Sequence, residues 1–244
     1  MRKFTATCVA FVAILLLSCP AFAGAQTSLT IRPNLVGIGT SFNGAQLAIN
    51  GQVPEGTSAV IRLLGEPQNR HFKQKGKALG VLWMNLNSIE ITNVPDVFLV
   101  GTDGTPGINW EHSDLGFLSV KGETDDLIFD EFIKLMEQDG FYEIEDGVVA
   151  YQDAENGMRP FAASLSIPSA MHQGVYEVEV LAVRDGKIVG RASQELHTKL
   201  TGVPAMLSKF AFDHSLVYGI AAVIIAILAG LIMSMLFKER GGVH

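Results

Sequence analysis

The chain has 244 residues, of which 48% are hydrophobic and only 18% are charged, and its formal net charge is −7. A globular domain normally has about a quarter charged residues. The hydrophobic excess lies in two segments, residues 1–23 and 216–237, and the remainder has an ordinary globular composition. These features exclude a polytopic channel, a collagen-like or disordered chain, and a small disulfide scaffold.

The first apolar segment has the features of a secretory signal peptide. Two basic residues lie near its start, an uncharged apolar run follows, and the segment ends in the small-residue pattern Ala21-Phe22-Ala23. This order predicts export and removal of residues 1–23. Attachment of a lipid to Cys19 is the alternative. Because both cysteines lie in this segment, the mature domain would depend on a packed core rather than on disulfides.

Short β-type segments bounded by glycine, proline or asparagine follow the signal peptide. The predicted strands in this half of the chain are Leu29–Ile31, Gln46–Val53, Ser58–Leu64, Val81–Leu86 and Val97–Val100. Residues 62–77 have a net charge of +4, with lysines at alternate positions from Lys73 to Lys77. This alternation predicts that the lysines lie on the solvent-facing side of an edge strand. A site for a phosphate, a sulfur oxyanion or a membrane surface is the alternative.

An acidic segment comes next, with a net charge of −12 over residues 111–155. Within it, apolar residues at helical spacing predict an amphipathic helix over Asp125–Asp139, with Thr124 as the N-cap and Gly140 just past the end. We expect the surrounding stretch, about residues 105–157, to be a helical insertion in the sheet domain. The acidic balance of the mature chain excludes nucleic acid as a partner, because phosphates require a basic surface.

The last predicted strands form a hairpin. Apolar and polar residues alternate over Gly174–Val183, an Asp-Gly turn follows, and Ile188–Leu200 returns as the second strand. A further strand is predicted at Pro160–Ile167. The regular spacing of these short strands predicts a mainly β fold, an immunoglobulin-like β-sandwich over residues 24–204.

A juxtamembrane segment, residues 205–215, leads into the uncharged run at residues 216–237. As a helix this run would span about 33 Å, which is enough to cross a bilayer. Basic residues in the tail, 238–244, place the C-terminus in the cytoplasm by the positive-inside rule. The sequence therefore predicts a single-pass membrane protein whose exported domain is held close to the bilayer.

Four small residues recur at every fourth position of this helix and share one side of it, namely Ala222, Ala226, Gly230 and Ser234. Small side chains allow a second membrane helix to approach closely. We therefore predict a packing face for a membrane protein partner. Chance is the alternative, because small residues are frequent in membrane helices.

The sequence contains no G-x-S-x-G elbow, Walker loop, H-E-x-x-H pair or C-x-x-C-H haem site. We therefore predict no catalytic residues and no cofactor. The candidate metal ligands are Glu111, His112 and Asp114, and a solvated acidic loop is the alternative. Met171-His172 is a smaller candidate, for copper.

Several stretches of the chain together resemble a known family. In chain order they are Ser41-Phe42-Asn43-Gly44-Ala45, Ile49-Asn50-Gly51, Gly80-Val81-Leu82-Trp83-Met84-Asn85, Val94-Pro95, Ile167-Pro168, Gly174-Val175-Tyr176-Glu177-Val178-Glu179-Val180 and Asp213-His214-Ser215-Leu216-Val217-Tyr218-Gly219. Over nearly the whole mature length, the chain resembles the alphaproteobacterial family of single-pass membrane proteins labelled Alph_Pro_TM. The resemblance implies a bacterial inner membrane and no assigned catalytic residues. It also suggests a sulfite-exporter-like membrane permease as a partner.

Three functions follow as hypotheses. The favoured one is a membrane-anchored periplasmic accessory or interaction protein that contacts an inner-membrane protein, such as this permease. The alternative is a periplasmic module that senses or binds a ligand or metal ion through the acidic or the basic segment. An anchored hydrolase is the third. The missing motifs favour the first, although a fold by itself does not decide function.

Overall fold

The computed structural model describes residues 26–78, 81–105, 113 and 115–238. The strands within these residues are β1 (Ser28–Arg32), β2 (Leu35–Ile38), β3 (Ala45–Pro54), β4 (Ser58–Leu64), β5 (Pro67–Ala78), β6 (Leu82–Pro95), β7 (Phe98–Gly101), β8 (Tyr142–Glu145), β9 (Val149–Tyr151), β10 (Met158–Ile167), β11 (Gly174–Arg184) and β12 (Lys187–Leu200). The helices are a 3₁₀ helix (Phe117–Val120), α1 (Asp126–Gln138), α2 (Gly202–Asp213) and α3 (Ser215–Lys238). The predicted signal peptide, Cys19 and tail residues 239–244 lie outside the described part.

Two sheets form the body of the domain. One has the strand order β1-β3-β10-β9 and the other β2-β12-β11-β4-β7-β8. Leu47 and Ile49 of the first sheet share a buried core with Ile61 and Val180 of the second, so the sheets pack face to face. The predicted mainly β fold is therefore confirmed. The immunoglobulin-like topology stays a prediction, and the strand orders are compatible with it.

A second core covers the outer face of the six-stranded sheet. Val60 and Leu181 of the sheet pack there against Phe129 and Phe132 of α1, and residues of the β5–β6 hairpin join them. Strand β4 is therefore buried on both faces, with all five of its central residues buried. This explains why its sequence is a nearly continuous apolar run instead of an alternating one.

The predicted amphipathic helix is confirmed, with one correction at its start. Asp125, not Thr124, is the N-cap, because the Asp125 carboxylate accepts a hydrogen bond from the Leu127 N–H at 3.0 Å. At the other end, the Phe141 N–H donates to the Met136 carbonyl at 2.9 Å, with Gly140 at a φ of 74°. This is the predicted glycine stop, in the form of a Schellman motif.

The stretch from 105 to 157 is less separate from the sheets than predicted. Strand β8 pairs in parallel with β7, and β9 pairs with β10, so both sheets recruit strands from this stretch. Its 3₁₀ helix and α1 lie between β7 and β8 in the chain. Strands this short leave almost no periodic signal in a sequence, which is why β8 and β9 were missed.

The β5–β6 hairpin is much longer than the predicted strand Val81–Leu86. It runs from the pair Pro67–Pro95 at its base to the pair Ala78–Leu82 near its tip. Because it forms a two-stranded sheet, β5 is an edge strand, and Lys73, Lys75 and Lys77 on it are exposed. The interpretation of these lysines as the solvated side of an edge strand is confirmed.

Candidate functional site

Helix α3 matches the predicted membrane span. Within the described chain, Ser215–Phe237 is the one helical segment that is long and apolar enough to cross a membrane. Its apolar side chains, from Leu216 to Phe237, are exposed instead of packed against the sandwich. A solvent-exposed surface this apolar requires lipid or another protein around it.

The small residues of the predicted packing face, Ala222, Ala226, Gly230 and Ser234, all lie on α3 and are exposed. Their four-residue spacing places them along one side of the helix. Their role in packing against a partner stays a prediction.

The predicted metal ligands Glu111, His112 and Asp114 lie outside the described residues. In the part of the chain that the structure does describe, no group of three or more His, Cys, Asp or Glu side chains is placed to hold a metal ion. Met171 is buried in the sandwich core, while His172 is exposed. A copper site at this pair stays a prediction.

A cavity of about 250 Å³ lies at the base of the β5–β6 hairpin. Backbone hydrogen bonds fix this base: the Gly65 N–H donates to the Val97 carbonyl at 2.9 Å, and the Asp96 N–H donates to the Glu66 carbonyl at 3.3 Å. The Tyr142 hydroxyl also donates to the Pro95 carbonyl at 2.8 Å. The ionisable side chains in the wall belong to Glu66, Arg70, Asp96, His172 and Tyr176.

Asp96 is the most buried acid of this wall, with 7% of its surface exposed. Burial raises the pKa of its carboxyl above the usual value, although the nearby charges of Arg70 and His172 act in the opposite direction. Its Oδ1 and the Nε of Arg70 are both buried without a hydrogen-bond partner among the described residues. Such atoms usually have partners, so two at one cavity mark a site whose polar groups are incompletely satisfied by the protein.

The loop before β11 supplies the opposite wall. The His172 carbonyl accepts hydrogen bonds from the Thr198 hydroxyl at 2.7 Å and from the Tyr176 hydroxyl at 3.1 Å. The imidazole ring of His172 stacks on the ring of Phe141, with the centroids 6.1 Å apart. Burial, and then the charge of Asp96, raise the pKa of Tyr176 to about 12. Tyr176 therefore stays a neutral hydrogen-bond donor at physiological pH, and the loop is held in place.

An acidic groove of about 950 Å³ adjoins the cavity and shares Glu66 and Val175 with it. Its wall contains four carboxylates, from Glu66, Glu123, Glu177 and Glu195, and no lysine or arginine among its described lining residues. The groove would therefore repel anions and attract cations.

A buried ion pair lies beside this groove. The Arg62 Nε donates to Glu179 Oε1 at 2.6 Å, and the Arg191 Nε lies 3.2 Å from Glu179 Oε2. Arg62 also donates to the Ser119 hydroxyl at 3.3 Å, which ties the 3₁₀ helix to the sheet. Because both charges have close partners, this cluster is a structural link between layers.

The comparison with protein families finds a match over most of the chain. The family model described as Putative transmembrane protein (Alph_Pro_TM) covers residues 27–239. This range includes every strand and helix described above, from β1 to α3. The chain belongs to this family. The Alph_Pro_TM match therefore covers the sandwich, α2 and the apolar helix α3 together. Among curated proteins, no match was found.

In this Alph_Pro_TM protein, the cavity was not predicted from the sequence, and His172 was a candidate only as half of the Met171-His172 pair. Arg70, Asp96 and His172 are widely separated in the chain, and the hairpin base and the start of β11 bring them together. Arg70 was noted only as part of the basic segment. An acid directly after a strand end, as Asp96 follows Pro95, is the one local signal that could have drawn attention to the site.

Proposed function

We propose that this Alph_Pro_TM protein is a membrane-anchored accessory protein of the bacterial inner membrane, with its sandwich in the periplasm. In this proposal it contacts an inner-membrane protein, for which a sulfite-exporter-like permease is the first partner to test. A binding role, without catalysis, fits the missing catalytic motifs.

The short connection between sandwich and membrane helix is the observation that carries this proposal. Strand β12 ends at Leu200 and α2 begins at Gly202, while the Thr201 N–H between them donates to the Ile38 carbonyl of β2 at 2.9 Å. No flexible linker separates the last strand from the helices. The domain is therefore held near the bilayer, where a membrane protein is within its reach.

The junction between α2 and α3 is also tightly connected. Only His214 separates the two helices, and its N–H donates to the Phe210 carbonyl at 3.1 Å. The ring of Phe210 lies 6.1 Å from that of His214 and 6.0 Å from that of Tyr218. These contacts limit the motion of the sandwich relative to the span, which suits a contact made at one fixed height above the membrane.

The proposed contact inside the membrane uses the small-residue face of α3. Ala226→Leu and Gly230→Leu would add bulk to this face and prevent close helix approach. Ala221→Leu is a matched control, because a helical turn of about 100° per residue places Ala221 on nearly the opposite side. The full chain and the permease are co-expressed, crosslinked in the membrane and purified in mild detergent.

We expect the natural chain and the Ala221→Leu variant to crosslink to the permease. The two variants on the small-residue face should lose most of the crosslinked product while reaching the membrane in normal amounts. Recovery of the natural chain alone and monomeric would contradict the proposal.

A ligand-binding module is the second candidate function. The cavity beside Asp96 favours it, because Asp96 Oδ1 and Arg70 Nε in its wall are buried without a hydrogen-bond partner among the described residues.

A further inference from the structure

We propose that the cavity between Arg70, Asp96 and His172 binds a small zwitterion, a molecule of amino-acid size that carries both an ammonium group and a carboxylate. This inference concerns the sandwich alone and does not depend on the membrane partner proposed above.

Two opposite charges lie in the cavity wall, one on Arg70 and one on Asp96. Asp96 lies close enough to Arg70 for the guanidinium charge to lower the pKa of its carboxyl, yet no ion pair joins the two within the described structure. The six-stranded sheet, in contrast, pairs Arg62 with Glu179 directly, at 2.6 Å. The fold can therefore satisfy buried charges internally, and in this cavity wall it leaves one guanidinium nitrogen of Arg70 and one carboxyl oxygen of Asp96 without a hydrogen-bond partner among the described residues.

The cavity wall is held rigidly at Asp96. Only 7% of the surface of Asp96 is exposed, and its Oδ1 is packed against Gly65. The backbone N–H groups of Gly65 and Asp96 both donate hydrogen bonds across the hairpin base, to the Val97 and Glu66 carbonyls. A carboxyl held in this way is preorganised for a ligand, because little side-chain freedom remains to be lost on binding.

The size of the cavity and the balance of charges in its wall both suit a small zwitterion. Its volume of about 250 Å³ is several times the 30 Å³ share of one water molecule and lies below the range of drug-sized pockets. The wall contains both basic and acidic groups, so neither a simple anion nor a simple cation satisfies it. A carboxylate suits the planar guanidinium of Arg70, and an ammonium group suits the carboxyl of Asp96.

Calorimetric titration of the full chain in detergent tests this proposal. The probes are glycine and β-alanine, and the half-ligand controls are acetate and methylammonium, each of which carries only one of the two charges. We expect at least one zwitterion to bind at least tenfold more tightly than either half-ligand.

Two variants remove one wall charge each, Asp96→Asn and Arg70→Gln, and each should weaken zwitterion binding at least tenfold. Asp130→Asn and Arg32→Gln make the same chemical changes at exposed positions and should bind as the natural chain does. Melting curves of all four variants establish that they are folded.

Three results would overturn the proposal. The first is no binding of either zwitterion, which would indicate a cavity filled with water. The second is acetate binding as tightly as glycine and β-alanine, which would indicate a simple anion site. The third is zwitterion binding that is unchanged by both wall variants, which would place the ligand elsewhere.

Discussion

Gly65 lies directly against the carboxyl of Asp96, so that a Cβ atom at residue 65 would overlap with Asp96 Oδ1. Glycine is therefore required here for its missing side chain and not for an unusual backbone conformation. The close approach also fixes the position of Asp96 in the cavity wall.

Gly65→Ala should lower the free energy of unfolding by about 1–3 kcal/mol, because the added methyl group must displace a buried carboxyl. Chemical denaturation of the full chain in detergent measures this change. Gly174→Ala is the control, since the nearest atom to a Cβ there is 3.8 Å away. Equal stability of the two variants would show that Asp96 is free to move.

Asp96→Asn should stabilise the protein at pH 8 by about 1 kcal/mol, because an amide avoids the cost of a buried charge. The folded-state pKa of Asp96 is raised by burial, so protonation stabilises the natural fold at low pH, and this contribution is lost as the pH rises through that pKa. The advantage of the variant should therefore shrink as the pH falls towards 4. Melting temperatures at several pH values measure it, and an advantage that grows on acidification would contradict the assignment.

The elements that could be predicted from the sequence are those with a strong internal period. Helix α1 has apolar residues at helical spacing and a glycine stop, and β11 and β12 alternate around an Asp-Gly turn whose residues Asp185 and Gly186 have φ values of 50° and 73°. These signals are local and agree with the tertiary packing.

The elements that could not be predicted lack such a period or depend on distant residues. The β5–β6 hairpin packs against the second core through a small set of residues, among them Phe72, Ile89 and Ile91, while its lysines Lys73, Lys75 and Lys77 are exposed. Its length therefore leaves little apolar alternation in the sequence. The cavity depends on the placement of Asp96 after β6 and of His172 before β11, which only the pairing of strands decides. Residue types alone cannot indicate that these side chains converge.

Breaking the buried pair on the outer sheet face should be costly. Arg62→Met leaves the carboxylate of Glu179, which is 3% exposed, with only the exposed Arg191 as a partner. We expect a loss of about 3–5 kcal/mol in the free energy of unfolding. The control Arg191→Met should cost about 1 kcal/mol or less, because its side chain is 58% exposed.

The double variant Arg62→Met/Glu179→Leu distinguishes the cost of losing the ion pair from the cost of leaving the Glu179 carboxylate buried without a partner. It should recover most of the stability lost in Arg62→Met, since no uncompensated carboxylate remains. A double variant as unstable as the single one would mean that packing, and not charge, determines the cost.

The aromatic cluster under α1 should hold the helix on the sheet. Phe132 is 3% exposed, and its ring lies 5.6 Å from that of Tyr142 and 5.7 Å from that of Phe72. Phe132→Ala should cost about 3–5 kcal/mol and increase hydrogen exchange in α1 and the hairpin. Leu127→Ala, at a position 77% exposed, should change stability by about 0.5 kcal/mol or less. Similar costs for the two would contradict the packing of α1 on the sheet.

The proposed topology can be tested with single cysteines, because both natural cysteines, Cys8 and Cys19, lie in the predicted signal peptide. Ser193→Cys places an exposed thiol on β12, and Gly242→Cys places one in the tail. In cells with a permeable outer membrane, an impermeant maleimide should label Ser193→Cys at least tenfold more than Gly242→Cys, because only the sandwich would face the periplasm. Both should react equally after the inner membrane is dissolved in detergent. Preferential labelling of Gly242→Cys in intact cells would reverse the proposed orientation, and with it the periplasmic location of the cavity.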